Sequence, residues 1–297
     1  MTRRSPIPRG SIPQEVLDLY DDYAHGGMDR RTFIDRLGAF TVMGLSGAAL
    51  AACVSPDYSA AQVPESADDI AVETFTYSSP DGGGEISGDL VLPANVSGPV
   101  GGVVVVHENR GLNPYIRDVA RRVARAGYVA LAPDALSPLG GYPGSDDEGR
   151  ALQRGRDRSE MLEDFIRAAE VLREHPAVNG KVAVVGFCFG GAVSNLMAAR
   201  LPWLAGAVPF YGGWPEAEDA ARVEAPLLIH LGELDARVNA GWPAYKAALD
   251  AAGADYEAHI YPDANHGFHN DTTPRYDPEA AALAWQRTLA FFGRVLA

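Results

Sequence analysis

A six-residue segment with a cysteine between glycines constrains the fold of this chain more than any other feature. Residues 186–191 read GFCFGG; they follow the apolar run 181–185 and precede the helical pattern of residues 192–200. This order predicts a strand, a sharp turn with Cys188 at its apex, and then a helix. Such a turn is strained and its flanking segments pack closely, which requires glycines on both sides of the nucleophile. The segment therefore predicts a thiol nucleophile at the end of a strand rather than a buried structural cysteine.

Apolar runs alternate with helical patterns from residue 70 to the end of the chain. The alternating segments 71–77 and 86–92, separated by a glycine turn, predict an antiparallel hairpin at the start. The continuous apolar run 101–107 is typical of a strand buried on both faces. Strands joined by helices indicate an α/β fold with a mostly parallel sheet and helices on both faces. Residues 135–149 are rich in turn residues and are expected to be irregular, as part of a rim or lid.

Two further residues stand where a nucleophile of this kind needs its partners. Asp235 follows the apolar strand 227–231 and a glycine, and His266 follows the last predicted strand. A nucleophile, acid, histidine order along the chain matches the triad of α/β-hydrolases. His269 is the second choice for the base, and Glu233 and Asp263 compete with Asp235 for the acid. His25 is set aside because it precedes the predicted domain.

The loop after the strand 101–107 is expected to complete the site. The backbone N–H groups of Phe189 and Asn109 are the predicted oxyanion donors, which point to where charge develops on a carbonyl oxygen. Glu108 is expected to point into the same cavity as Cys188, where an unpaired carboxylate would be costly. The alternative is a solvated Glu108 that pairs with Arg110 or Arg117.

Four parts of the sequence together resemble the dienelactone hydrolase family, whose members are also called carboxymethylenebutenolidases. These parts are residues 107–111, residues 186–191, Asp235 and residues 261–268. The resemblance covers residues 70–297 and implies an α/β-hydrolase fold. It implies that Cys188 is the nucleophile, His266 the base and Asp235 its orienting acid, and that Glu108 helps to generate the thiolate. It further implies hydrolysis of an ester or unsaturated lactone through an acyl-thioester, with no cofactor or metal required.

The substrate is expected to be a small ester or lactone that bears a carboxylate. Five arginines are candidates for binding that carboxylate: Arg150, Arg154, Arg156, Arg158 and Arg275. Three aromatic residues are candidates for lining the pocket: Tyr142, Tyr211 and Trp214. Arg150 and Arg154 are the first choices. A thioesterase or general carboxylesterase on the same scaffold is the alternative within enzymes, and a non-catalytic envelope lipoprotein is the alternative outside them.

Residues 1–53 form a separate segment by composition. Arg30 and Arg31 precede the uncharged, Ala- and Gly-rich stretch 37–52, which ends at Cys53. This resembles a twin-arginine export signal with a lipoprotein box, which implies lipidation at Cys53 and a periplasmic or membrane-anchored protein. The alternative is a cytoplasmic protein in which residues 14–37 form an amphipathic helix that continues into a buried one. Residues 54–69 are predicted to be a linker.

Charge and cysteine usage exclude several classes of protein. The formal net charge is −14, which disfavours binding to nucleic acid or to an anionic membrane surface. Cys53 and Cys188 are the only cysteines in the sequence, so it holds neither a disulfide framework nor a CxxC zinc pattern. The chain is therefore expected to act on a small molecule, with membrane contact only through a lipid at Cys53.

Overall fold

One mixed sheet organises the molecule. The structure is a computed structural model and describes residues 12–40, 44–59 and 61–297. Within these residues eight strands pair in the order β1-β2-β4-β3-β5-β6-β7-β8. The pairs β1 with β2 and β2 with β4 are antiparallel, and every other pair is parallel. The strands are β1 (Ile70–Ser79), β2 (Gly84–Pro93), β3 (Val100–Val106), β4 (Val129–Pro133), β5 (Val178–Phe187), β6 (Gly206–Phe210), β7 (Leu227–Gly232) and β8 (Tyr256–Tyr261).

Helices pack on both faces of this sheet, as the alternating sequence pattern predicts. Along β3, Val104 and Val106 contribute to one apolar cluster while Val103 and Val105 contribute to another, because successive side chains of a strand point to opposite faces. The helices are α1 (Gln14–Ala24), α2 (Arg30–Leu37), α3 (Gly47–Val54), α4 (Pro114–Arg125), α5 (Asp146–Arg154), α6 (Arg158–Arg173), α7 (Phe189–Arg200), α8 (Ala217–Ala220), α9 (Ala236–Asn239), α10 (Trp242–Ala252) and α11 (Pro278–Val295). The predicted α/β fold and its opening hairpin are confirmed.

The segment 135–149 is less irregular than its turn residues predict. It contains a short 3-10 helix at Ser137–Leu139, and α5 already begins at Asp146. The Ser145 hydroxyl accepts a hydrogen bond from the backbone N–H of Glu148, and acidic side chains fill the first turn. Both features stabilise a helix start, which outweighs the turn residues before it.

The nucleophile turn joins β5 to α7 through Cys188, whose φ is 57°. Positive φ is strained for a residue with a side chain and is typical of this turn. A Cβ on Gly190 would lie 2.8 Å from the carbonyl oxygen of His107 and closer still to that of Val106. Gly190, two residues after Cys188, is therefore required by the close contact between the start of α7 and the end of β3.

Gly190→Ala should destabilise the fold by about 2–3 kcal/mol, because the new methyl group collides with rigid backbone. This corresponds to a fall in Tm of roughly 4–12 °C for a chain of this size. Gly98→Ala is the matched control, since Gly98 is exposed and a Cβ there meets nothing within 4 Å. Thermal unfolding followed by circular dichroism measures both variants. Equal Tm values for the two would contradict the packing argument.

The first three helices form a small unit, termed here the N-terminal helical unit (α1 to α3). Its own apolar cluster includes Tyr20, Phe33, Leu37 and Leu50, and Cys53 is buried in it. Arg30 and Arg31 begin α2. Of the uncharged stretch predicted to serve export, residues 41–43 lie outside the described residues. Among the helices that are described, none combines the length and apolar character needed to cross a membrane.

The predicted linker packs against the rest of the chain. The backbone N–H of Asp57 donates to the carbonyl oxygen of Thr272. The backbone N–H groups of Gln62 and Val63 donate to the carboxylate of Asp118 on α4. These bonds fix the path from the N-terminal helical unit to β1.

Candidate active site

Cys188 lies where β5 ends and α7 begins. Its side chain is largely buried, with the residue 8% exposed. Phe189 is the first residue of α7, and its backbone N–H therefore has no acceptor within the helix. The thiol thus lies beside the Phe189 N–H group at the positive end of a helix.

Asp235 and His266 form a buried pair. His266 Nδ1 donates to Asp235 Oδ2 at 2.6 Å, and the other carboxylate oxygen accepts from the backbone N–H of Val238 at 3.1 Å. Burial works against ionisation of this carboxyl, but the His266 imidazole and the Val238 amide lower the pKa of Asp235 overall. The bond fixes the His266 tautomer, and Nε2 of that ring, also buried, has no hydrogen-bond partner within the described residues.

A second imidazole, which sequence reasoning missed, contacts the thiol. His25 follows the last residue of α1, and its Nε2 lies 3.2 Å from Cys188 Sγ. Its Nδ1 lies 2.7 Å from the main-chain oxygen of Asp21. The rings of His25 and His266 are perpendicular, with centroids 4.8 Å apart. Burial works against protonation of His25, but Cys188 and Asp21 raise its pKa overall.

Polar contacts hold α1 over the site. The Asn109 side-chain amide donates to the main-chain oxygen of Ala24 at 2.7 Å, and Arg275 donates to Asp21 at 2.7 Å. Burial opposes ionisation of Asp21, but His266, His25 and Arg275 lower its pKa overall. The sequence predicts a role only for the backbone N–H of Asn109, as an oxyanion donor. In the structure the side chain of Asn109 also anchors the N-terminal helical unit.

A cavity of about 250 Å³ opens at Cys188, Phe189 and His266. Of the predicted binding residues, Arg150, Arg154, Arg156, Arg158 and Tyr211 line it, whereas Arg275 does not. Arg237, which was not among the predicted residues, lines it as well. Among the described residues that line the cavity there are thus five arginines and no Asp or Glu, in a chain that carries a large net negative charge.

Tyr142 and Trp214 do not line this cavity, contrary to their predicted role. The Tyr142 hydroxyl donates to Asp146 at 2.9 Å. The Trp214 indole N–H donates to the main-chain oxygen of Val238 at 2.7 Å, and its ring packs on Trp242. The polar groups of both residues are thus committed to hydrogen bonds elsewhere in the chain, which a position near a strand end does not reveal.

Glu108 is buried but is not among the residues that line the cavity. Its carboxylate accepts from the Asn270 side-chain amide at 3.1 Å and lies 3.5 Å from Arg110. The predicted alternative of a pair with Arg110 is thus observed, in the interior rather than in solvent. His269 is also buried; it bonds to Tyr115, and burial lowers its pKa to about 3. It therefore stays neutral, away from the thiol.

Among the described residues, His25, Cys188 and His266 form the group of side chains whose geometry could hold a metal ion. Their donor atoms lie within 4.8 Å of one another. The Arg237 guanidinium lies 3.0 Å from His25 Nε2, which puts a positive charge against one of the three donors. The arrangement therefore fits proton transfer at a thiol better than it fits binding of a cation.

Comparison with known proteins gives two family matches. The model described as "Dienelactone hydrolase family" matches residues 86–296, and one described as "YqhI-like" matches residues 9–40. The chain is 32% identical to a Yersinia pestis protein named "Putative carboxymethylenebutenolidase", over 72% of this chain and 85% of that one. It is 58% identical to the Escherichia coli "Putative hydrolase fragment YghX", over 38% of this chain and 97% of the fragment.

A solved structure gives the same result for the fold. The crystal structure of a Klebsiella pneumoniae protein named "Putative Dienelactone Hydrolase" superimposes with a TM-score of 0.66 at 30% identity. The match covers 75% of this chain and 99% of that one.

Proposed function

Because the chain belongs to the dienelactone hydrolase family, we propose that it hydrolyses an ester or unsaturated lactone through a Cys188, His266 and Asp235 triad. The observation that carries the proposal is the Asp235 to His266 bond beside a cysteine held at a strand-to-helix turn. Asp235 fixes the His266 tautomer so that Nε2 is the atom that accepts protons. This is the division of roles found in triads on unrelated folds.

The proposed reaction has two half-reactions. The Cys188 thiolate attacks the carbonyl carbon, and the backbone N–H groups of Phe189 and Asn109 stabilise the resulting oxyanion. Collapse releases the leaving oxygen and forms an acyl-thioester. Water, activated at His266 Nε2, then cleaves the thioester and regenerates the thiol.

The cavity wall supports a substrate that carries a carboxylate. Arg150 lines the cavity while its residue is 5% exposed, and its Nη1 has no hydrogen-bond partner within the described residues. A buried guanidinium N–H without a partner is costly, and a carboxylate is the acceptor that fits its geometry best. Arg150 is therefore the proposed carboxylate ligand, with Arg154 beside it in the same wall.

Steady-state kinetics on three substrates test this function. The expected order of kcat/KM is a carboxylated butenolide first, then a neutral aryl acetate, then an acyl thioester. Preincubation with iodoacetamide should abolish all three activities in a Cys53→Ala background, where Cys188 is the one remaining thiol. A preference for the thioester would favour a thioesterase, and a preference for the aryl acetate a general carboxylesterase. Inactivity on all three would favour a non-catalytic protein.

Export is a separate proposal that rests on sequence alone. Arg30 and Arg31, followed by the uncharged stretch and the small residues before Cys53, support a twin-arginine signal with lipid attachment. A cytoplasmic protein is the alternative. Mass spectrometry of the native N-terminal peptide distinguishes them: a diacylglyceryl group on an N-terminal Cys53 supports export, and an uncleaved N-terminus contradicts it.

A further inference from the structure

Cys188 has two imidazoles within reach but contacts only one of them. His25 Nε2 lies 3.2 Å from Sγ, whereas the buried Nε2 of His266 has no hydrogen-bond partner within the described residues. The histidine assigned as base by the triad is therefore not the one that shares a proton with the resting thiol.

The orientation of His25 is fixed in the same way as that of His266. Its Nδ1 bonds to the main-chain oxygen of Asp21 at 2.7 Å and lies 3.4 Å from the carboxylate of that residue. Asp21 is in turn held by Arg275 at 2.7 Å. A neutral imidazole that donates through Nδ1 carries its lone pair on Nε2, the atom that faces the sulfur. Each histidine thus directs an accepting nitrogen towards the reacting centre.

We propose that His25 is a second catalytic imidazole, which takes the proton of the Cys188 thiol during acylation and leaves His266 to activate water during deacylation. The inference deepens the proposed hydrolase function and rests on it. It assigns a catalytic role to the N-terminal helical unit, outside the residues 86–296 that match the hydrolase family.

Protons and bonds balance through both half-reactions. The Cys188 S–H proton moves to His25 Nε2, the S–C bond forms, and the carbonyl π electrons move to oxygen. On collapse the C–O bond to the leaving group breaks, and the leaving oxygen takes the proton from His25. His266 then takes one proton from water as the new C–O bond forms. On the second collapse the C–S bond breaks, and the sulfur recovers that proton from His266.

The charges around His25 suit a proton carrier. Burial opposes the imidazolium form of His25, whereas Cys188 at the turn and Asp21 on its own helix favour it. His266 opposes it, and so does Arg237, which approaches His25 Nε2 at 3.0 Å. The net effect raises the pKa of His25, and a raised pKa suits a group that must accept the proton of a thiol.

The pH dependence of thiol alkylation tests the inference without any substrate. Iodoacetamide reacts with the thiolate, so its rate against pH reports the ionisation of Cys188. In the Cys53→Ala background, His25→Gln should shift the midpoint of the profile upward by at least about one pH unit, because the imidazolium partner is lost. His266→Gln should not raise the midpoint, because removing the His266 imidazole removes a group that opposes the His25 imidazolium. The midpoint is the readout, since a smaller side chain at position 25 also changes access to the thiol.

Two further variants separate proton transfer from structural damage. His175→Gln removes a half-buried histidine at the end of α6, away from the site. Gln14→Ala removes a contact between α1 and Asn265 and leaves His25 itself unchanged. Both should show the wild-type midpoint. A wild-type midpoint in His25→Gln, or an upward shift caused by His266→Gln instead, would overturn the proposal.

Pre-steady-state kinetics with an aryl ester separate the two half-reactions. His25→Gln should slow the release of the aryl alcohol in the first turnover by about 10²-fold, the usual contribution of a positioned proton carrier. His266→Gln should keep a rapid first turnover and accumulate an acyl-enzyme, detected by intact-protein mass. Accumulation in His25→Gln instead would reverse the assignment. If no substrate is turned over, the hydrolase function fails, while the alkylation profile still decides whether His25 ionises the thiol.

The role also requires that His25 remain on the mature enzyme. Cleavage before Cys53 would remove it, so this inference and the export proposal make opposite predictions about the native N-terminus. Native protein that starts at Cys53 and keeps the alkylation midpoint of the full chain would contradict the role of His25.

Discussion

Replacing Cys188 with alanine lowers kcat/KM for every accepted ester or lactone by at least about 10³-fold, because the acyl-thioester can no longer form. The fold should tolerate the change, since alanine is smaller than cysteine at a position already held by the flanking glycines. The measurement is steady-state hydrolysis of an aryl acetate and a carboxylated butenolide, with circular dichroism to confirm folding.

Cys53→Ala is the matched control for this variant. Cys53 is equally buried, but it belongs to the apolar cluster of the N-terminal helical unit. Its replacement should leave kcat/KM within about twofold of wild type, because surrounding packing absorbs small changes away from the site. Full activity in Cys188→Ala would assign the chemistry to another residue and refute the thiol mechanism.

Asp235→Asn is expected to lower kcat/KM by about 10³–10⁴-fold. Asparagine keeps an oxygen to accept from Val238, but it loses the charge that accepts the Nδ1 proton of His266. The wrong tautomer then faces the reacting centre, and the imidazolium that forms during hydrolysis is no longer stabilised. The measurement is kcat/KM on the same substrates, with Tm to show that the fold is retained.

Glu233→Gln is the control for Asp235, because Glu233 competes for the acid position on the same loop. Its carboxylate is exposed and accepts from the backbone N–H of Asp263 rather than from a histidine. Its replacement should change kcat/KM by less than about threefold, as expected for a surface substitution. A large loss in Glu233→Gln, or a small one in Asp235→Asn, would transfer the acid role to Glu233.

The fold and the Asp235 to His266 pair could be predicted because their signals are local. A parallel sheet brings the carboxyl ends of its strands to one edge, so residues just after predicted strands share a neighbourhood. The turn at residues 186–191 identifies that edge, and Asp235 and His266 follow β7 and β8. The alternation of apolar strand patterns with helical patterns was sufficient to predict the α/β fold, because each strand and helix buries its own apolar side.

The position of His25 could not be predicted in this way. It is separated from Cys188 by 163 residues, and among the described residues, which begin at residue 12, no strand precedes it. It reaches the thiol because polar side chains from the loops after β3 and β8 bind α1, and such contacts leave no periodic pattern. For Glu108 the sequence predicts the position in the loop correctly but not the direction of the side chain. Its carboxylate lies beside the buried Arg110 instead of lining the cavity.

The contacts of α1 also bear on the order in which the molecule assembles. The bonds from Gln14 to Asn265 and from Asp21 to Arg275 span 251 and 254 residues. During synthesis the N-terminal helical unit can bury its own apolar cluster early, but its docking partners Asn265 and Arg275 are made much later. The N-terminal helical unit thus reaches its final place only after these partners have been made, and the two imidazoles meet the thiol only then.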